Sequence, residues 1–256
     1  MIRASGRLRG AVPAAAVVLV CVAAWEAVVR GEAVDELILP APTQVAQALW
    51  TDRSLLASDL AVTAYEVLAG LAAALVVGAA FAVAMHLSPA ARRAIGPLVV
   101  GSQAVPVPVV APLLVLVLGF GLAPKVLMVA LVCFFPVTIN LYDGLRAVDA
   151  DQRKVLASFS ATRWQTLRLL EAPAALPQAF TGVRIAAAVA VIGAVFAEWA
   201  GADSGLGHAL LTANGQLLTP RAFACVVLLF LLAVVLYEGC SLLERRLVRW
   251  TPRPER

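Results

Sequence analysis

The chain has 256 residues, of which 62% are hydrophobic and 14% charged, and a formal net charge of +4. A water-soluble domain is about half apolar and about a quarter charged, so this composition excludes an ordinary soluble enzyme and implies a polytopic, all-α membrane protein. The positive excess reflects membrane topology and contact with anionic lipid rather than nucleic-acid binding.

A helix needs about 20 apolar residues to cross the hydrocarbon. Six runs meet that length: residues 11–29, 60–87, 97–118, 125–145, 177–199 and 222–243. In the first run Trp25 and Glu26 stand where small residues would precede a signal-peptide cleavage site, so the run is expected to stay as a span. Between the first two runs, LPAPTQVAQALW has a Pro-rich start, Thr43 as a candidate N-cap, and apolar Val45, Ala48 and Leu49 at helical spacing. It reads as a short amphipathic helix on the outer membrane surface. The third run contains Pro106, Pro108 and Pro112, each of which lacks a backbone donor. A bent helix lining a pathway and a short helix followed by a re-entrant piece both fit. The expected organisation is an N-terminal helix with its outer segment (1–58), a transmembrane core (59–245) holding a polar loop (146–177), and a basic tail (246–256).

Lys and Arg set the orientation. With the N-terminus inside, Arg30, Arg53, Lys125 and Arg221 are the only four of the 20 basic residues outside. The others fall in the N-terminal segment, around Arg92 and Arg93, in the 146–184 stretch and in the C-terminal tail. Six spans with both termini in the cytoplasm follow.

No phosphate-cradling G-x-x-x-x-G-K-S/T occurs, and the glycine-rich GADSGLG (201–207) follows an apolar helix, so it reads as a tight turn. His86 and His208 are isolated, and no catalytic triad fits on one side of the membrane. Neither a catalytic residue nor a metal site is expected. Cys21, Cys133, Cys225 and Cys240 lie inside apolar runs and read as small buried hydrophobes. Among the intramembrane acids Glu26, Glu66, Glu198 and Glu238, each can pair locally. Glu198, beside Trp199, has the strongest functional reading, since it can face a substrate arriving from outside. Asn140 follows Phe134-Phe135-Pro136; it is either glue between helices or a hydrogen-bond partner for a substrate ring stacked on a phenylalanine. Gln103 joins Phe134, Phe135, Asn140 and Glu198 as a candidate lining residue of the pathway.

The most telling stretch is RKVLASFSATRWQTLRLLEAPAALPQAFTGVR, residues 153–184. It is basic and helix-forming. Val155, Leu156, Phe159, Trp164, Leu167 and Leu170 are apolar, and Pro173 and Pro177 are expected to stop the helix and turn the chain into the fifth span. A helix with such a mix either lies on the inner leaflet or plugs into a groove on a partner protein.

Its residues resemble the coupling loop of type I ABC importer permeases, the inner-membrane components of binding-protein-dependent transport. That loop reads E-A-A-x-x-x-G, followed at a fixed distance by I-x-L-P. Ser160 aligns with the glycine, and Ser160-Ala161-Thr162-Arg163-Trp164-Gln165-Thr166 is similar to the family's G-A-S-R-W-Q-T. Lys154-Val155-Leu156 replaces E-A-A, and Ala172 stands in place of the leucine. The resemblance extends from about residue 39 to 250. FFPVTINLYDGLRAVD, FAEWAGADSGLGHALLTANGQL and ERRLVRW are similar to the nitrate, sulfonate and taurine permeases and to relatives for riboflavin and thiamine-precursor pyrimidines.

The resemblance implies a permease subunit of the bacterial inner membrane without an ATPase site or cofactor of its own. It implies two copies of an ATP-binding ATPase partner, a periplasmic or lipid-anchored substrate-binding protein, and a second permease copy. Phe159, Ser160, Ala161, Thr162, Arg163, Trp164 and Gln165 would carry the ATPase contact. An ion-coupled secondary transporter is the alternative; it would need intramembrane acids as ion sites and, commonly, an inverted repeat.

Overall fold

The computed structural model describes residues 5–31 and 34–250, with side chains from residue 16 onward. Among these residues it is built of helices. α1 (Ser5–Arg30) is followed by the short α2 (Pro42–Thr51) and the long α3 (Arg53–Leu87). At about 1.5 Å per residue α3 is about 52 Å long, well beyond a hydrocarbon core of about 30 Å. Next come α4 (Pro89–Gly101), a 3₁₀ turn (Ser102–Ala104), α5 (Val107–Leu118) and α6 (Leu122–Arg146). The loop holds α7 (Ala150–Ser158), the one-turn α8 (Arg163–Thr166) and a π turn (Leu167–Glu171). α9 (Ala172–Gly201), α10 (Leu206–Gly215) and α11 (Thr219–Leu247) complete the chain.

Four helical stretches are long and apolar enough to cross a membrane: α3, α6, Arg163–Gly201 and α11. α4 and α5 pass the same test only as a pair, bent by 105° at the break between them, the shape of either a broken span or a re-entrant loop. The bend falls at Val105-Pro106, where Pro106 caps α5 and pushes the residue before it out of helical backbone. Pro97 and Pro112 sit inside helices without interrupting them. The first expected span lies within α1, where Trp25 packs against Phe223 of α11 at 6.0 Å between ring centroids.

α6 is the centre of the bundle, packed between α3 and α9. In lipid the hydrophobic effect does not drive helices together, so close backbone approach and dispersion contacts must do so. The sequence supplies the small side chains for it: Ala186, Ala187, Ala190 and Ala194 of α9 are all fully buried. At Gly182 the backbones of α6 and α9 approach so closely that a Cβ would overlap the Pro136 carbonyl oxygen of α6 and crowd Asn140. Cys133 belongs to the same core and donates its thiol to the Ala186 carbonyl at 3.3 Å. Cys225 is buried too, but the expectation of burial fails for Cys240, which is half-buried, and for Cys21, which is exposed on the outside of α1.

Two local expectations change. Thr43 does not cap α2. The helix starts two residues earlier, with Ala41 as N-cap, and the Thr43 amide and hydroxyl both donate to Glu26 of α1. Nor do Pro173 and Pro177 stop the loop helix. Pro173 lies in the first turn of α9 and Pro177 is inside it, and the helical path runs unbroken from Arg163 to Gly201. The π turn just before Pro173 absorbs the proline, since a widened turn already gives up the regular bonding pattern that the ring would disturb.

Candidate functional site

At one end of the bundle, the loop after α6 folds into two helices with a tight break between them. Asp149 caps α7, its carboxylate accepting from the Asp151 amide at 2.9 Å. α7 ends in a Schellman turn. The Ser160 amide donates to the Ala157 carbonyl at 2.9 Å and the Ala161 amide to the Leu156 carbonyl at 3.2 Å. This turn requires a left-handed residue, and Ser160 takes that position with φ of 57°. A side chain resists this backbone, which is why glycine is the favoured residue there. Thr162 then caps α8 reciprocally: Gln165 N donates to Thr162 Oγ1 at 3.3 Å and Thr162 N to Gln165 Oε1 at 2.8 Å. Thus Phe159–Gln165 is a rigid corner between helices rather than one continuous helix. Its apolar anchors face outward, with Phe159 78% and Trp164 62% exposed.

The corner is fastened to the spans by a residue that the sequence did not single out. Glu171, at the end of the π turn, is buried. One carboxylate oxygen lies 2.7 Å from His86 Nε2 at the end of α3, and the other 2.8 Å from Arg153 Nε on α7. Arg153 also donates to the Leu145 carbonyl of α6 at 3.1 Å. One carboxylate therefore joins the loop to α3 and α9, and Arg153 adds α6. The available signal is a lone acid in a strongly basic segment, five residues beyond the Gln165-Thr166 end of the motif.

The pathway candidates occupy four separate places. Phe134 and Phe135 sit among Ala82, Met85, Val99 and Tyr142, and the Phe134 ring meets Phe81 of α3 edge-on at 5.3 Å. Asn140 lies further along the same helix, where its amide donates to the Pro136 carbonyl at 2.8 Å and its oxygen accepts from Gln178 of α9 at 3.1 Å. Gln103 is exposed in the 3₁₀ turn at the α4–α5 bend.

Glu198 is at the far end and only 1% exposed. Its carboxylate accepts from the Thr63 hydroxyl at 2.6 Å, from the His208 amide at 3.2 Å and from the Gly207 amide. It thereby satisfies amides at the N-terminus of α10 that have no partner within the helix. Gly205, at φ of 110°, covers the carboxylate so closely that a Cβ would overlap it. Trp199 completes the junction by donating to the Gly207 carbonyl at 3.0 Å. The GADSGLG stretch is thus the turn expected of it, closed over a carboxylate from its own helix. Nearby, Lys125 of α6 reaches Glu66 of α3 at 2.6 Å, a buried ion pair across two spans. Sequence spacing could not show that pairing, because the partners are far apart along the chain.

Comparison with known proteins converges on one class. The family described as "binding-protein-dependent transport system inner membrane component" matches residues 67–249. The formylaminopyrimidine transport permease protein ThiX of Halalkalibacterium halodurans is 35% identical over 83% of this chain and 86% of its own. The riboflavin transport system permease protein RibX of Chloroflexus aurantiacus is 42% identical over 62% of this chain and 59% of its own. Among solved structures, a chain from inward-facing conformations of the MetNI methionine ABC transporter superposes with a TM-score of 0.65 at 17% identity. That match covers 78% of this chain and 98% of the other, and it supports the fold.

Proposed function

Because the chain belongs to the family of binding-protein-dependent transport system inner-membrane components, and is a permease subunit of an ABC importer, we propose how its parts divide the work and what it carries. The observation that carries the reading is the exposed Phe159–Trp164 corner, tied through Glu171 to three spans. Large aromatic and Arg side chains are the residues that most often anchor interfaces. Phe159, Ser160, Ala161, Thr162, Arg163, Trp164 and Gln165 dock on a separate ATPase, two copies of which bind the ATP. The permease itself holds no cofactor and no ATPase site. Closure of the ATPase pair displaces the corner. Glu171 and Arg153 transmit the displacement to α3, α6 and α9, and the bundle moves between two packings.

The orientation that places this loop in the cytoplasm also puts both termini there, in the inner membrane of a bacterium. A periplasmic or lipid-anchored binding protein delivers cargo to the opposite end, near α2 and α10. A second permease copy completes the pathway. Gln103, Phe134, Phe135 and Asn140 are candidates to line it. Glu198 acts at its mouth by holding α10 in place. The cargo class that the ThiX and RibX likenesses favour is a small nitrogen heterocycle, a thiamine-precursor pyrimidine or a riboflavin-like ring, over a sulfonate, nitrate or taurine-type anion.

The test is gentle-detergent purification of the chain from its native membrane, with mass spectrometry of what accompanies it. A P-loop ATPase near stoichiometry, cross-linking to the Arg153–Gln165 region, supports the division of labour. Absence of any ATPase even after cross-linking would overturn it. The co-purifying binding protein, screened by thermal shift against pyrimidines, riboflavin and sulfonates, decides the cargo.

A further inference from the structure

At the loop end, the ends of α3, α4 and α6 and the helices of the basic loop line an open cavity of about 520 Å³. Its wall brings together Arg92, Arg146, Arg153 and Arg163, with His86 and one carboxylate, Glu171. Glu171 is already taken by His86 and Arg153. Arg92, Arg146 and Arg163 have no carboxylate within 4.0 Å among the described residues. Arg146 is instead steadied by Tyr142, whose ring centre lies 5.4 Å from the guanidinium carbon and whose hydroxyl lies 3.4 Å from Nη1. Like charges gathered around one volume repel unless an anion sits among them. Among the described residues Glu171 is the only acidic side chain in the wall, and it lies against His86 and Arg153 rather than against the other three arginines.

We propose that this cavity is a site for a phosphoryl anion at the membrane face, filled by an anionic phospholipid headgroup or by free phosphate. Guanidinium forks match phosphate oxygens two at a time, and arginines converging from several helices offer more than one such fork. The cavity lies where the spans meet the side that their basic residues place in the cytoplasm, the level at which basic pockets between helices take anionic headgroups. Two of its arginines, Arg92 and Arg146, belong to the spans, and two, Arg153 and Arg163, to the loop. A bound phosphoryl group therefore bridges loop and spans, in parallel with Glu171. Anionic lipid then stiffens the attachment of the loop.

The experiment uses the whole purified chain in neutral detergent at fixed ionic strength and follows thermal unfolding. Three titrants are compared: short-chain phosphatidylglycerol, short-chain phosphatidylcholine, and inorganic phosphate. The expected result is a rise in midpoint with phosphatidylglycerol and none with phosphatidylcholine. A matching rise with inorganic phosphate assigns the site to the free anion, and its absence assigns it to the lipid. The Arg92→Gln/Arg146→Gln variant should need roughly thirty-fold more titrant for half the effect. An Arg245→Gln/Arg246→Gln variant, at the same face but outside the cavity, should titrate like the parent. If the first variant does not fold, Arg92→Gln alone is compared with Arg92→Lys, and the former, which loses the charge as well as the fork, should weaken the response more. Equal shifts with both lipids and none with phosphate, or equal titration by the two double variants, would overturn the proposal.

Discussion

Replacing Ser160 by glycine should tighten the exposed corner at Phe159–Gln165. Ser160 sits at φ of 57° and closes the Schellman turn through its own amide and that of Ala161. An L-residue pays about 1–2 kcal/mol for left-handed backbone that glycine adopts freely. Glycine gives back roughly 0.5–1 kcal/mol through its more flexible open state. The net gain for Ser160→Gly is about 0.5–1 kcal/mol, a two- to five-fold shift in the local opening equilibrium. Ser160→Val should move the other way by more than 1 kcal/mol, since a β-branched side chain is the least tolerant of this region. The assay is amide hydrogen exchange at residues 160 and 161 in nanodiscs, corrected for intrinsic rates. Exchange should slow two- to five-fold in the glycine variant and accelerate in the valine variant. If glycine exchanges as fast as serine, or valine matches serine, the turn is not under the backbone strain described here.

Other variants probe the rest of the frame. Trp164→Ala should abolish ATP-driven uptake while leaving membrane insertion and the unfolding midpoint unchanged; normal uptake would remove Trp164 from the docking surface. Glu171→Ala leaves His86 and Arg153 without their shared carboxylate and should cost up to about 3 kcal/mol, while speeding proteolysis within the 150–166 loop; an unchanged cleavage rate would show that the clasp does not hold the loop. Lys125→Ala should destabilise by about 3–5 kcal/mol because Glu66 stays buried without its partner, and the Lys125→Ala/Glu66→Ala variant should recover much of the loss; thermal unfolding reads both, and additive losses would argue against the pairing. Gly182→Val should disrupt the α6–α9 contact and sharply lower the yield of folded protein, and a well-folded variant would contradict the backbone approach seen there.

The parts of this architecture legible in sequence are those with local causes. Apolar length marks the spans, and three prolines mark the bent segment. The motif at residues 160–166 is enough to locate the corner, and glycine's usual place in it anticipates the backbone that Ser160 is forced to adopt. Pairings across the bundle are not legible. Glu66 and Lys125, or Glu171 and His86, are far apart in sequence, and only helix packing brings them together. Glu198, beside Trp199, suggests a group facing incoming substrate, yet three donors from α3 and α10 surround it, and that enclosure depends on a chain reversal no periodicity describes. The prolines at 173 and 177 mislead for a related reason. Their effect depends on the turn preceding them, and a π turn leaves no mark in the hydrophobic pattern.

That π turn also fixes the angular phase of the loop. It fits one residue more into a turn than an α-helix does, so the helix before it is offset by about 100° from where an uninterrupted helix would place it. Arg163 and Trp164 thus owe the compass direction in which they point to an inserted residue between Leu167 and Glu171. Insertions and deletions in this short window would act as rotations of the exposed Phe159–Trp164 face rather than as changes of length.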